Sequence, residues 1–244
     1  MHMPASLEID PVLATIACVS GILILLLFMR PRRFYLIRHG ETLLNAQHIR
    51  QGETGELSER GREQAVMIGK YLRPLRIARI VSSAYPRALE TAAIINANLH
   101  VPIIPSLLFT ERRNPSEIIG KNTRDPEVIR IVDQMDLAYH DDDYLFSDEE
   151  TFSELKKRAR TCLALLAQQG RDGTIIITHH HILKMIVAYL LYRERLHASD
   201  FVKLSFFNIS DNAGITIIEF HPWQLFSPAR GWRVISFNEH LTLS

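Results

Sequence analysis

The sequence predicts an α/β protein: a three-layer sandwich with a mostly parallel sheet flanked by helices, preceded by an N-terminal apolar helix. Three observations carry this. From residue 34 onward, short apolar runs of strand length alternate with longer segments of helical period, the pattern of a sheet covered on both faces. Two of those runs, Phe34-Tyr35-Leu36-Ile37 and Ile175-Ile176-Ile177, are apolar without a break, as strands of a buried parallel sheet are. A third, longer run, Val12 to Met29, stands just ahead of the first of them.

The N-terminal run comes first. Helix over residues 12–29 would reach about 27 Å, close to a bilayer's hydrocarbon core. Glu8 and Asp10 precede it, and Arg30, Arg32 and Arg33 follow at once. That asymmetry predicts an N-terminus outside and a catalytic domain in the cytoplasm. No basic residue precedes the apolar stretch, which argues against a cleaved signal peptide. The competing expectation is a packed or dimer-forming helix in a soluble cytoplasmic protein. The predicted organisation is therefore an N-terminal segment, residues 1–30, with a transmembrane helix at 12–29, and a catalytic domain over 31–244. The membrane is an expected partner through that helix.

Within the domain, strands are predicted at 34–38, 77–82 and 174–178, and helices near 61–73, 86–98, 126–136, 149–169 and 180–192. Runs at 202–209, 214–220 and 232–237 read as strands joined by turns. Asp172-Gly173 and Asn212-Ala213-Gly214 are predicted turns. The acidic patches Asp141-Asp142-Asp143 and Asp148-Glu149-Glu150 read as a solvated surface and the start of a helix, where acidic residues suit the dipole.

Composition narrows the function classes. A net charge of +1 gives no overall pull towards nucleic acid, so no nucleic-acid partner is expected. Hydrophobic content of 47% suffices for a sizeable core. Two cysteines, Cys18 and Cys162, form neither a disulfide framework nor a zinc motif, which suits a reducing compartment.

The chemistry concentrates at strand ends. Arg38-His39-Gly40-Glu41-Thr42 follows the first strand, placing a guanidinium and an imidazole at its carboxyl end, where open α/β sheets bind ligands. Such a pair suits a phosphate: the fork holds oxygens and a ring nitrogen can attack phosphorus. Further along stand Asn45, then Leu57-Ser58-Glu59-Arg60-Gly61-Arg62, then Ser82-Ser83-Ala84-Tyr85-Pro86-Arg87-Ala88. Glu111 lies in Thr110-Glu111-Arg112-Arg113, and Thr178-His179 ends a later strand. In this order and combination, the segments resemble the histidine phosphatase superfamily, the phosphoglycerate-mutase-like group. The resemblance runs from about Phe34 to Asn238-Glu239-His240-Leu241.

The resemblance implies phosphomonoester hydrolysis through a phosphohistidine. His39 takes the nucleophile's position and His179 that of the second histidine, which donates to the phosphoryl group. Arg38 and Arg87 would clamp phosphoryl oxygens with a planar fork that lysine lacks. Asn45 matches a position lining the phosphate pocket, although a turn or capping asparagine is an equal reading. Glu111 is the candidate general acid and base; to be protonated near neutral pH its pKa must rise through burial or neighbouring acids, while nearby Arg112 and Arg113 would lower it. The arginines and histidines supply the charge a phosphate needs, so no metal or other cofactor is expected. The expected partner is a small phosphorylated substrate or a phosphoprotein.

Two departures from the family pattern stand out. Glycines usually follow the second histidine, whereas this chain reads Thr178-His179-His180-His181. Either His180 strains a backbone position suited to glycine, or it reaches the substrate. The segment after Glu111, Asn114-Pro115-Ser116-Glu117-Ile118, also differs, so the substrate cannot be borrowed from other members. A phosphoglycerate-type mutase and a catalytically weak, membrane-linked module binding phosphorylated ligands are the competing readings. The lack of the longer inserted segments that resemble the mutases favours a phosphatase.

Overall fold

A computed structural model describes residues 16, 18–21, 29–138, 140–205, 210–224 and 230–241. Its centre is a six-stranded mixed sheet in the order β3-β2-β4-β1-β5-β6. The strands are β1 (Arg32–Arg38), β2 (Arg79–Ser83), β3 (Ile103–Ser106), β4 (Thr174–Thr178), β5 (Ile215–Phe220) and β6 (Trp232–Glu239). β1 to β4 run parallel. β5 lies antiparallel to β1, and β6 antiparallel to β5.

The unbroken apolar strands take the middle of the sheet because both of their faces are covered. Phe34 and Leu36 of β1 and Ile176 of β4 join a core with α5 (Phe152–Gln169) and α6 (His180–Tyr192). Their neighbours Tyr35, Ile37, Ile175 and Ile177 point the other way, into a core with α2 (Glu59–Leu72) and α3 (Pro86–Asn96). The strand period of two thus splits one run between two layers. Truncating a side chain such as Ile177, which is fully buried, would cost about 2–5 kcal/mol. A third, small cluster of Ile118, Val128 and Ile131 holds α4 (Pro126–Leu137) over the 107–124 loop.

Helix starts follow local chemistry. Ser58 caps α2, accepting from the Gly61 amide, and Thr151 with Glu154 forms a reciprocal capping box at α5. The expected helix at 149–169 therefore begins three residues later. Glu149 accepts from the amides of Phe146 and Ser147, and Glu150 pairs with Arg158.

The structure corrects the expectations in several places. The segment 202–209 was expected as a strand, yet its residues 202–205 belong to α7 (Ala198–Ser205), while 206–209 lie outside the described residues. The reason is Asp200, whose carboxylate accepts from the His197 amide and starts a helix that buries Phe201. Strand β3 was not expected; it is a four-residue edge strand, where Pro105 is tolerated because one side needs no donor. The four-residue α1 (Leu43–Ala46) was also not expected.

The predicted membrane helix at 12–29 lies mostly outside the described residues. Ile16 and Cys18 to Gly21 are helical and exposed. Among the described residues no helix is long and apolar enough to cross a membrane, so the membrane partner and the single-pass placement find no support.

Candidate active site

Sheet order assembles the site. β4 lies between β1 and β2, so the carboxyl ends of three adjacent strands meet. Arg38 is in register with Thr178, and the amide of His39 donates to the Thr178 carbonyl at 3.0 Å. His39 and His179 therefore leave the sheet side by side, with ring centroids 4.9 Å apart. Ser83, at the end of β2, reaches His179 Nε2 across 2.7 Å. Arg87, one residue into α3 behind Pro86, comes in from the same edge.

Gly40 is required by close approach: a Cβ there would overlap the Gly61 carbonyl, and one on Gly61 would overlap the Glu41 carbonyl. The two glycines let the start of α2 pack onto the turn after β1. Gly40 N donates to Thr91 Oγ1, and Asn212 Nδ2 donates to the carbonyls of His39 and Gly40.

The tautomer of His39 follows from its partners. Nδ1 faces the Gly40 carbonyl at 2.8 Å, which can only accept. Arg87 Nε, which can only donate, reaches His39 Nε2 at 3.2 Å. The proton thus sits on Nδ1 and the lone pair on Nε2. Burial first, then His179, Arg87 and Arg38, hold the imidazole well below the usual histidine range, so the ring is neutral at pH 7. Arg87 is itself 2% exposed, and its Nη1 donates to the carbonyls of Gly52, Glu53 and Thr54. Arg38 donates from Nη1 to the Ser210 carbonyl at 2.6 Å.

A cavity of about 290 Å³ opens over these groups, and Arg38, His39, Asn45, Arg87, Glu111 and His180 all line it. His179 sits behind that wall, fully buried and held neutral by burial, Arg87 and other nearby charges. Its Nδ1 has no hydrogen-bond partner among the described residues, nor does the buried Nε of Arg38. Asn45 is a capping residue that also faces the cavity. Its Oδ1 accepts from the Thr42 amide in a capping box and from Asn212, while it lines the cavity.

Glu111 departs from expectation. Its Oε1 accepts from the amides of Arg112, His181 and Ile182, so the carboxylate serves the first turn of α6. His181 Nδ1 lies 3.6 Å from Oε2. Burial pushes the carboxyl up, but His181 beside it, then His179 and His180, hold it well below the usual carboxylate range. The amides of Arg112, His181 and Ile182 that donate to it favour the charged form as well. Glu111 is thus ionised before substrate arrives, not protonated.

His180 shows no strain, being a helical residue without positive φ. Its Nδ1 lies 2.9 Å from Ser210 Oγ, and burial leads the causes that lower its pKa to about 3. His180 therefore lines the cavity as a neutral ring.

Sequence reasoning missed several contributors. Ser83, the 52–54 carbonyls, Ser210 and Asn212 act through contacts far apart in the chain; the Ser82-Ser83 pair before Arg87 and the polar run Ser210-Asp211-Asn212 before a turn were the signals. Arg158 was also missed. It pairs with Glu150 through both oxygens and donates to the carbonyls of Leu108, Thr110 and Glu111, tying the Glu111 loop to α5. Nothing in its spacing marks it. Among the described residues no group of three or more His, Cys, Asp or Glu side chains could hold a metal ion.

Two buried neutral histidines, two arginines and a carboxylate thus stand close together near the strand ends of one α/β sheet. The chain belongs to the histidine phosphatase superfamily (branch 1), whose family model matches residues 34–229. It is 33% identical over 146 residues to a protein of Bacillus subtilis described as an uncharacterized phosphatase, PhoE; the match covers 59% of this chain and 69% of that one. A probable phosphoglycerate mutase of Erwinia tasmaniensis is 44% identical, but over 62 residues, 25% of this chain and 29% of its own. In fold, the chain is similar to a mycobacterial glucosyl-3-phosphoglycerate phosphatase, with a TM-score of 0.69, 23% identity and coverage of 86% of this chain and 100% of that one. The alpha-ribazole phosphatase of Shigella flexneri gives 0.67 at 20% identity, covering 85% and 96%.

Proposed function

We propose that residues 31–244 form a metal-independent phosphatase that hydrolyses phosphomonoesters through a phosphohistidine on His39. The observation that carries this reading is the pair of hydrogen bonds fixing the His39 tautomer, with the Nε2 lone pair beside Arg87. As Arg87 Nε shifts its N–H from Nε2 to a phosphoryl oxygen, the freed lone pair attacks phosphorus and the ester P–O bond breaks. Arg38 and Arg87 balance the charge on the phosphoryl oxygens, and the unpartnered Nδ1 of His179 is the donor to that group. Glu111, ionised in the free protein, takes up the proton that a substrate bound as its monoanion brings, and passes it to the leaving alkoxide. It then takes one from water as the water oxygen attacks and the P–N bond breaks, freeing phosphate.

The ionised state of Glu111 fits this cycle. It is the form that accepts the proton of the attacking water. A phosphate arriving beside it adds like charge, which raises its affinity for the proton that the monoanionic substrate carries in. The match to a phosphatase over 146 residues favours hydrolysis over phosphoryl retention, because the mutase match spans 62. Retention of both histidines and both arginines argues against a vestigial binding module.

The test is phosphate release by the full-length chain from a panel of monoesters, with His39→Ala alongside and chelator in one arm. The expected result is turnover that survives chelator and falls by about 10⁴-fold or more in the variant. Near-native turnover by His39→Ala, or activity that requires an added divalent ion, would contradict the reading.

A further inference from the structure

His180 stands where the family pattern leads one to expect glycine, and its ring makes contacts that a glycine cannot. From the first position of α6 it reaches the turn at 210–214: Nδ1 lies 2.9 Å from Ser210 Oγ and 3.3 Å from the Ser210 carbonyl. That carbonyl can only accept, and a proton on Nδ1 serves both oxygens, so the proton sits there. Ser210 is 2% exposed, so protein groups must supply its hydrogen bonds. An edge-on contact with the His181 ring, centroids 5.0 Å apart, steadies the imidazole in this plane.

The same carbonyl accepts from Arg38 Nη1 at 2.6 Å. Its two lone pairs are thus divided between an imidazole and a guanidinium. Among the described residues this is the hydrogen bond that holds the Arg38 fork, whose buried Nε has no partner. The rest of the turn is anchored from other sides. The Asp211 amide, in the same peptide unit, donates to Asn238 Oδ1, and the backbone of Arg38 pairs with Ala213 and Gly214. Those bonds place the peptide, and His180 closes the remaining side of its carbonyl. The ring lines both the phosphate cradle, the cavity over His39, and an adjoining cavity of about 210 Å³. Its other nitrogen, Nε2, carries a lone pair that charged phosphoryl oxygens repel, so the ring serves the cradle through Ser210.

We propose that His180 is a positioning residue: through the Ser210 carbonyl it fixes the Arg38 guanidinium in the direction that meets the phosphoryl oxygens. This rests on the phosphatase reading above. Without the ring, one lone pair of a buried carbonyl and the Ser210 hydroxyl lose their partner, and the carbonyl is free to tilt with Arg38 attached. A clamp displaced by about an ångström gives up much of its hold on a transition state.

A double-mutant cycle tests this with the full-length chain and nitrophenyl phosphate. His180→Leu and His180→Gly, which lack the donor, should each lower kcat/KM about tenfold. His180→Asn, whose amide N–H takes the place of Nδ1–H, should stay within about threefold of the wild type. In an Arg38→Lys background the ammonium has no plane for Ser210 to set, and there His180→Leu should cost less than about twofold. A full tenfold loss in that background would mean that His180 acts on the substrate or on folding, not through Arg38, and overturns the assignment. So does native kcat/KM in His180→Leu and His180→Gly, or a His180→Asn enzyme as poor as they are. No turnover of any monoester by the wild type sinks the phosphatase reading itself, and this one with it.

Discussion

The phosphate cradle and the adjoining cavity are built in opposite ways. The cradle hangs from the sheet: His39 follows β1, His179 follows β4, and Ser83 ends β2, so strand pairing fixes their spacing. The cavity beyond it is walled by α4, the segments around Arg50 and Arg112, and the starts of α5, α6 and α7, with α4 held by the small cluster of Ile118, Val128 and Ile131 and by polar contacts at Glu127 and Gln134. A parallel sheet can demand the same geometry of every member of a family, while helices and loops over it are free to change. On the proposed reading, changes in the cradle should strike all substrates alike, and changes towards the cavity should strike some more than others.

Arg87→Lys is the harshest test of that division. Lysine cannot both donate to His39 Nε2 and hold the three carbonyls of 52–54. The expected loss is about 10²–10³-fold in kcat/KM, the same within threefold for aryl and alkyl esters. Steady-state rates on a matched series would break the comparison if the loss followed the leaving group.

Glu111 sits where the two regions meet, so its replacement should separate substrates. Gln at this position keeps an oxygen for the amides of His181 and Ile182 but cannot release a proton. Alkyl phosphates, whose alkoxides need protonation, should lose about 10²-fold or more, and nitrophenyl phosphate less than about tenfold. Equal losses would remove Glu111 from the role of acid.

A gentler effect concerns stability. His180 is neutral when folded and binds a proton once unfolded, since its folded pKa of about 3 lies below the unfolded value of 6.5. Above pH 6.5 neither state is protonated there, and nothing is lost. As pH falls below 6.5 the unfolded state gains the proton, so by pH 5 this ring alone costs about 2 kcal/mol. His39 and His179 act in the same direction. Denaturant melts of His180→Gln should show a shallower fall in stability between pH 7 and pH 5; an unchanged slope would mean that His180 is not held neutral.

Legibility in the sequence follows the same divide. His39, Arg38, Arg87 and His179 each stand at a strand end or helix start inside a short local pattern; the cavity wall includes the first three, and His179 lies behind it against His39. The sheet's centre was legible for a similar reason, since Ile175-Ile176-Ile177 admits few other places. Glu111's ionisation was not legible, because it depends on amides 70 and 71 residues away. Nor was Arg158, whose carbonyl partners lie on a loop with no periodicity. The 202–205 segment misled because a strand-like apolar run says nothing of the Asp200 cap ahead of it. His180 looked like a strained substitution, but its backbone is ordinary helix.

The central claim is that His39 Nε2 carries the phosphoryl group. Full-length protein mixed with nitrophenyl phosphate, quenched within milliseconds under alkaline conditions and digested, should yield one phosphorylated peptide, the one spanning His39. Its label should survive base and be lost in mild acid, as a phosphoramidate is, and should be absent from His39→Ala. A stable label on any other residue, or full turnover with no phosphorylated peptide at any quench time, would contradict it.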